Sequence, residues 1–319
     1  MTRLLHTRRQ AFALFAASWS WLPRQALAAE PYRGVAAIYP DIGEPFRGVF
    51  TKMIEGIEDQ LGAPVHTFAV GSSGAQDLVA DLRRQNVRVV VALGRNGLKA
   101  ATSLEPPVPI VAGGVLSVPE SDALQTLTIH SLAPDPALLF AQLKRLTPGV
   151  RRIMVVHDPK QNAWLMKLAR DAARGHDLDI TVHEAADLQS AIRYYQDTFA
   201  SADPRHDALW LPQDSTTVDD SAVLPLVLQE SWNRGFAVFS SSVAHVKRGA
   251  LFSLFPDNLE LGRSLGRSVQ QALSSTGRMV RGVIPLKEVL VAVNVRTANH
   301  LGIPLTGRQQ SFDLVFPEP

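Results

Sequence analysis

The chain has 319 residues, 46% of them hydrophobic and 19% charged, with a formal net charge of +2 and no cysteine. That length is enough for two domains with cores of their own, and the missing thiols exclude disulfides, thiol catalysis, cysteine-ligated metal and a lipid anchor on cysteine. The first 28 residues carry Arg3, Arg8, Arg9 and Arg24 and no acid, so the remainder holds 28 basic against 30 acidic residues, and nucleic acid loses its electrostatic basis as a partner.

Residues 1–28 read as an export signal. A basic start, an apolar run over 11–21 and Ala26-Leu27-Ala28 before the cut are the three parts of a cleaved leader. The run is shorter than the roughly twenty residues of a membrane-spanning helix. Arg8-Arg9 hints at the twin-arginine route, but Phe12 falls one place late for it. Export by the general secretory route to the periplasm is expected.

Short β-type runs then alternate with amphipathic helices, the pattern of parallel sheets covered on both faces. Strands are predicted at 34–39, 65–70, 89–93, 108–112 and 124–130. Helices between them carry Phe46, Phe50, Met53, Ile54 and Ile57, then Leu78, Val79 and Leu82. The rhythm restarts after Pro134 and Pro136, with a helix bearing Leu138, Leu139, Leu143 and Leu146. Strands follow at 152–157, 180–183, 208–211 and 236–239, with helices at 162–174, 188–199 and 223–232.

The last third is spelled out most fully. An apolar run at 250–255 leads through Pro256 to Asp257 as helix N-cap, with Glu260 placed for a capping box. Leu261, Leu265, Val269, Ala272 and Leu273 form one buried stripe, Gly262 and Gly266 allow a close neighbour, and Gly277 closes the helix. A strand at 289–293 and a short helix capped by Asn294 complete the pattern.

The predicted fold is α/β: two doubly wound parallel-sheet lobes with a hinge and an interlobe cleft. The leader occupies 1–28, the N-terminal lobe 29–133 plus 244–278, and the C-terminal lobe 134–243 plus 279–319. Ligands of wound sheets bind beyond the carboxyl ends of the strands, which nominates Asp41, Glu44, Ser72, Ser73, Arg95, Asn96, Gly113 and Gly114 in the first lobe. In the second lobe the same rule nominates Asp158, Asn162, Gln213, Asp214, Ser215, Ser240, Ser241 and Ser242. Asp214 suits a ligand ammonium group, or equally the cap of its own loop. The serines suit a carboxylate, or simply a turn. Tyr39, Phe46, Trp164 and Trp210 could stack on a planar ligand or pack in the core.

Four segments stand in order along the chain: Gln213-Asp214-Ser215-Thr216-Thr217-Val218, Gly249-Ala250-Leu251, Gly262-Arg263, and Val293-Asn294 running through Thr297-Ala298 to Leu301-Gly302-Ile303. Together they resemble the ABC-transporter substrate-binding family, the relatives of tryptophan/tyrosine-type binding proteins with a type I periplasmic-binding fold. The resemblance implies a monomeric periplasmic protein that takes up a small polar solute, amino-acid-like in the first instance, and delivers it to an ABC permease in the inner membrane. It implies no enzyme activity and no cofactor. Arg95-Asn96 and Gly113-Gly114 depart from the family pattern, so the carboxylate subsite of those relatives does not transfer.

Catalytic signals are weak beside it. The histidines form no HxxxH or HExxH pair, so no metal is expected. Gly71-Ser72-Ser73-Gly74 is not a nucleophile elbow, and no phosphate-binding loop appears. Two other readings stay open: a periplasmic sensory subunit for a receptor kinase or cyclase, and an exported α/β hydrolase.

Overall fold

The computed structural model describes residues 34–71, 76–105, 108–116, 126–274, 280–305 and 311–317. The expected leader lies outside them, as do Ser72, Ser73 and Gly277.

The chain opens with β1 (Val35–Pro40), α1 (Phe46–Leu61), β2 (His66–Val70), α2 (Gln76–Arg84), β3 (Val89–Leu93), α3 (Gly94–Thr102), β4 (Ile110–Val115) and β5 (Thr128–Pro134). Next come α4 (Pro136–Leu146), β6 (Arg152–His157), α5 (Pro159–Gly175), β7 (Asp179–Glu184), α6 (Leu188–Ser201), β8 (Asp207–Leu211), α7 (Val223–Arg234) and β9 (Ala237–Ser240). Last are α8 (Val243–Arg248), β10 (Phe252–Pro256), α9 (Asn258–Leu273), β11 (Gly282–Leu286), β12 (Val289–Asn294), α10 (Val295–His300) and β13 (Leu314–Phe316).

Two sheets result. The first runs β11-β5-β4-β3-β1-β2 and is parallel throughout, and the second runs β13-β12-β10-β9-β8-β6-β7 with only the β10–β12 pair antiparallel. Both sheets are buried on two faces, which is why β3 and β8 are apolar at nearly every position. In β3, Val90 and Ala92 point to a core shared with α2 and α3, while Val89, Val91 and Leu93 point to one shared with α1 and α9. In the second sheet, α4 and α5 cover one face and α6 and α7 the other.

The strand at 250–255 was expected in the first lobe. As β10 it lies in the second sheet instead, because its backbone pairs with β9 on one side and β12 on the other. Only the helix after it, α9, returns to the first sheet, where Leu261, Leu265 and Val269 are buried against α1 and β3. The strand that follows, β11, pairs with β5 at the edge of the first sheet. Its interior Pro285 hid it from the sequence reading, since proline is tolerated only where no ladder donor is needed.

The chain therefore passes between sheets after β5, after β10 and after β11. These crossings bind one another: Asp135 N–H donates to the Leu286 carbonyl at 2.8 Å, and Asp257 N–H to the Glu288 carbonyl at 2.9 Å. Two of them enter helices through aspartate caps. Asp135 accepts from Ala137 N–H, and Asp257 accepts from both Leu259 and Glu260 N–H. The expected return bond from Glu260 to the Asp257 backbone does not form, because that N–H is held by Glu288 while Glu260 pairs with Arg263.

Candidate functional site

In each sheet the strand order reverses beside the first strand of its half, between β1 and β3 and between β6 and β8. Loops that leave the strands there part to opposite faces and open a crevice. Because β5, β10 and β11 run parallel to those strands, all three crossings lie at the crevice end of their sheets.

At the second switch point, five predicted residues meet in one network. Asp214 is buried, and its Oδ2 accepts from Asp158 N–H at 2.7 Å and from the Asn162 amide at 2.9 Å. Its Oδ1 accepts from Thr216 and Thr217 N–H, each at 3.0 Å, and from the Gln161 amide at 3.4 Å. Asn162 also holds the Gln213 carbonyl, and Ser215 donates to the Gln161 side-chain oxygen. Asp158 caps α5 through Lys160 N–H and accepts from Thr216 and Gln161. Burial would raise the Asp158 pKa, but those hydrogen bonds and the neighbouring Lys160 charge hold it below the usual carboxylate range. The bonds from Thr216 and Thr217 N–H make Asp214 a cap of its own loop.

The Ser240 turn is built from a different set. The Ser240 hydroxyl lies 2.8 Å from His245 Nδ1 and 3.1 Å from the Leu211 carbonyl, and accepts from Ser242 N–H. His245 Nε2 is 3.4 Å from Asp220. With a neutral ring, Ser240 donates its one hydroxyl proton to Nδ1, Nε2–H donates to Asp220, and the Leu211 carbonyl is held by Ser241 N–H at 3.0 Å. A serine, histidine and aspartate in line invite comparison with a hydrolytic triad. Ser240 is fully buried, however, and out of reach of a substrate carbonyl. Ser241 accepts from the Trp210 indole N–H at 3.0 Å. Trp210 itself is a core residue, stacked on Phe239 and edge-on to Phe140.

In the first lobe, Asp41 and Glu44 lie in the exposed loop after β1, where Asp41 faces Arg47 at 3.6 Å and Glu44 accepts from Gly48 N–H. Arg95 and Asn96 were expected in a turn. They form the exposed first turn of α3, which begins directly at Gly94 because its φ of 68° reverses the chain in a single residue. Gly113 packs beneath Leu265, whose side chain a methyl would meet at 2.7 Å, and Gly114 sits at φ 70°. Gly113 thus acts in the packing of α9 on the sheet, while Gly114 faces Met53 of α1 and the Gly94 backbone.

Gln161 and Thr216 lie inside the strand-end loops 158–162 and 213–216 that the sequence nominates, whereas His245 and Asp220 fall outside every nominated loop. Phe46 is 64% exposed and Leu116 50% exposed, each beyond the carboxyl end of a first-sheet strand.

The comparisons with known proteins agree with this architecture. A conserved domain protein from Vibrio cholerae is similar at 18% identity and TM-score 0.53, over 89% of this chain and 99% of its own. The ABC domain in complex with L-Trp from Streptococcus pneumonia is similar at 16% identity and TM-score 0.53, over 89% and 100%. A ligand-free, open substrate binding protein with adhesive properties from Clostridium difficile is similar at 14% identity and TM-score 0.60, over 85% and 95%. The shared fold is the type I periplasmic-binding fold. No curated protein matches the chain. The model for ABC transporter substrate binding proteins matches residues 136–308, more than half of the sequence, and the chain belongs to that family.

Proposed function

We propose that this is a periplasmic solute-binding protein that closes two lobes over one small polar molecule and presents the closed form to an ABC permease. The supporting observation is the placement of the three crossings. They bind one another at the crevice end of both sheets, so bending there moves the β1 and β3 loops toward the β6 and β8 loops. We assign residues 34–134 with 258–286 to one lobe and residues 135–257 with 287–317 to the other, and residues 1–28 to a cleaved leader. The ligand must favour the closed state, since a solute that bound both states equally would carry no signal to the membrane.

A thermal-shift screen of amino acids, purines, sugars and small organic acids tests this function. A solute at about one hundred times its dissociation constant adds about 2.7 kcal/mol of stability. At least one of these solutes is expected to raise Tm, and failure of every class would refute the reading.

A further inference from the structure

The charged residues of the loops after β1, β3, β6 and β8, which flank the two switch points, divide unequally. On the acidic side, Asp214 and Asp158 are buried and hold the hydrogen bonds described above, Asp41 faces Arg47, Glu44 accepts from the first turn of α1, Asp219 accepts from Ser221 and Ala222 N–H, and Asp220 faces His245 and Arg248, while the exposed Glu184 ends the edge strand β7, outside the switch point. On the basic side stand Arg95 and Lys160, both exposed, and among the described residues no hydrogen bond or ion pair reaches either side chain. They lie at the two switch points: Arg95 directly after β3, Lys160 two residues after Asp158 at the end of β6. Phe46 follows β1 and Leu116 follows β4, the two strands that flank β3, and both side chains are exposed, so the strand-end side of the first lobe carries apolar surface.

A ligand ammonium group taken into a closed cleft needs a carboxylate with a free lone pair, or its desolvation goes uncompensated. Asp214 has none to offer, since five donors already surround its two oxygens. A ligand carboxylate, by contrast, meets an unpaired guanidinium suited to two parallel hydrogen bonds, and an ammonium point charge.

Resting on the solute-binding reading, we propose that the cleft selects an organic anion: a carboxylate on an apolar body without an ammonium group. Arg95 holds the carboxylate from one lobe and Lys160 from the other, while Phe46 and Leu116 cover the apolar part. This departs from the amino-acid-like solute that the family resemblance implies.

Calorimetric titration with 3-phenylpropionate, phenylalanine and 2-phenylethylamine tests it, because these share a ring and chain and differ in charge. The acid is expected to bind at least tenfold more tightly than phenylalanine, and the amine not at all. Arg95→Ala and Lys160→Ala should each weaken the acid by about tenfold or more, and both sites are exposed, so Tm of the free protein should stay unchanged. Equal or tighter binding of phenylalanine or the amine, or indifference of the acid to both variants, overturns the proposal. If none of the three binds while another solute of the screen does, the anion proposal is wrong and solute binding stands. If no solute of any class binds, both readings fall.

Discussion

Gly56 of α1 and Gly262 of α9 bring two helix backbones into direct contact. A methyl added at Gly262 would lie 2.1 Å from the Met53 carbonyl oxygen, and one at Gly56 would lie 2.1 Å from that of Leu259. Around this contact Arg263 reaches Asp59 at 3.0 Å and Gln270 reaches Gln60 at 3.1 Å. Residues about two hundred positions apart in the chain are thereby joined within one lobe.

Gly262→Ala should therefore destabilise the protein by about 3 kcal/mol, the upper end of what overpacking costs, since the obstacle is backbone rather than a side chain that can turn away. Urea unfolding measures it. A loss near zero would show that the helices are free to separate.

Asp214→Asn tests the role of the buried carboxylate. The amide would turn a donor toward either the Asp158 and Asn162 donors or the Thr216 and Thr217 donors, at a cost of about 2 kcal/mol or more. The expected result is a lowered Tm for the ligand-free protein. A ligand contact would behave oppositely, leaving Tm in place and removing affinity.

His130 makes stability depend on pH. Burial pushes its pKa down to about 4, against a smaller opposing effect of Glu288, and one ring nitrogen lies 2.9 Å from the Ser268 hydroxyl. In the unfolded chain the ring takes a proton below about pH 6.5, so between pH 6.5 and 4 the unfolded state binds more protons than the folded one. Stability should be unaffected by this group above pH 6.5 and should fall by about 3 kcal/mol as pH drops to 4. His157 and His245, both lowered chiefly by burial, act in the same direction. Denaturant midpoints across that range, for the parent and for His130→Gln, should show a shallower slope in the variant.

Ser240→Ala should leave Ser242 N–H and His245 Nδ1 without their partner and lower stability by about 1–3 kcal/mol. Any background turnover of p-nitrophenyl acetate should be the same in parent and variant. Loss of such turnover in the variant would revive the hydrolase reading.

Local chemistry was legible in the sequence because it depends on neighbours in the chain. The apolar run of β3 needed both faces of a sheet covered, Asp257 capped the helix it precedes, and the stripe Leu261, Leu265 and Val269 marked the buried side of α9. Strand ends read from the same pattern named Asp158, Asn162, Gln213 and Asp214, which do meet.

What the sequence could not reveal was which sheet a strand joins and which partner a polar group takes. β10 carries an apolar run that would suit either sheet, and only hydrogen bonding to β9 and β12 assigns it to the second. Asp214 could equally have faced a solute. In the folded loop its oxygens accept from Asp158, Asn162 and Gln161, which arrive from more than fifty positions away. Periodicity and capping are properties of a few consecutive residues, whereas pairing and saturation depend on groups that share a place only once the chain has folded.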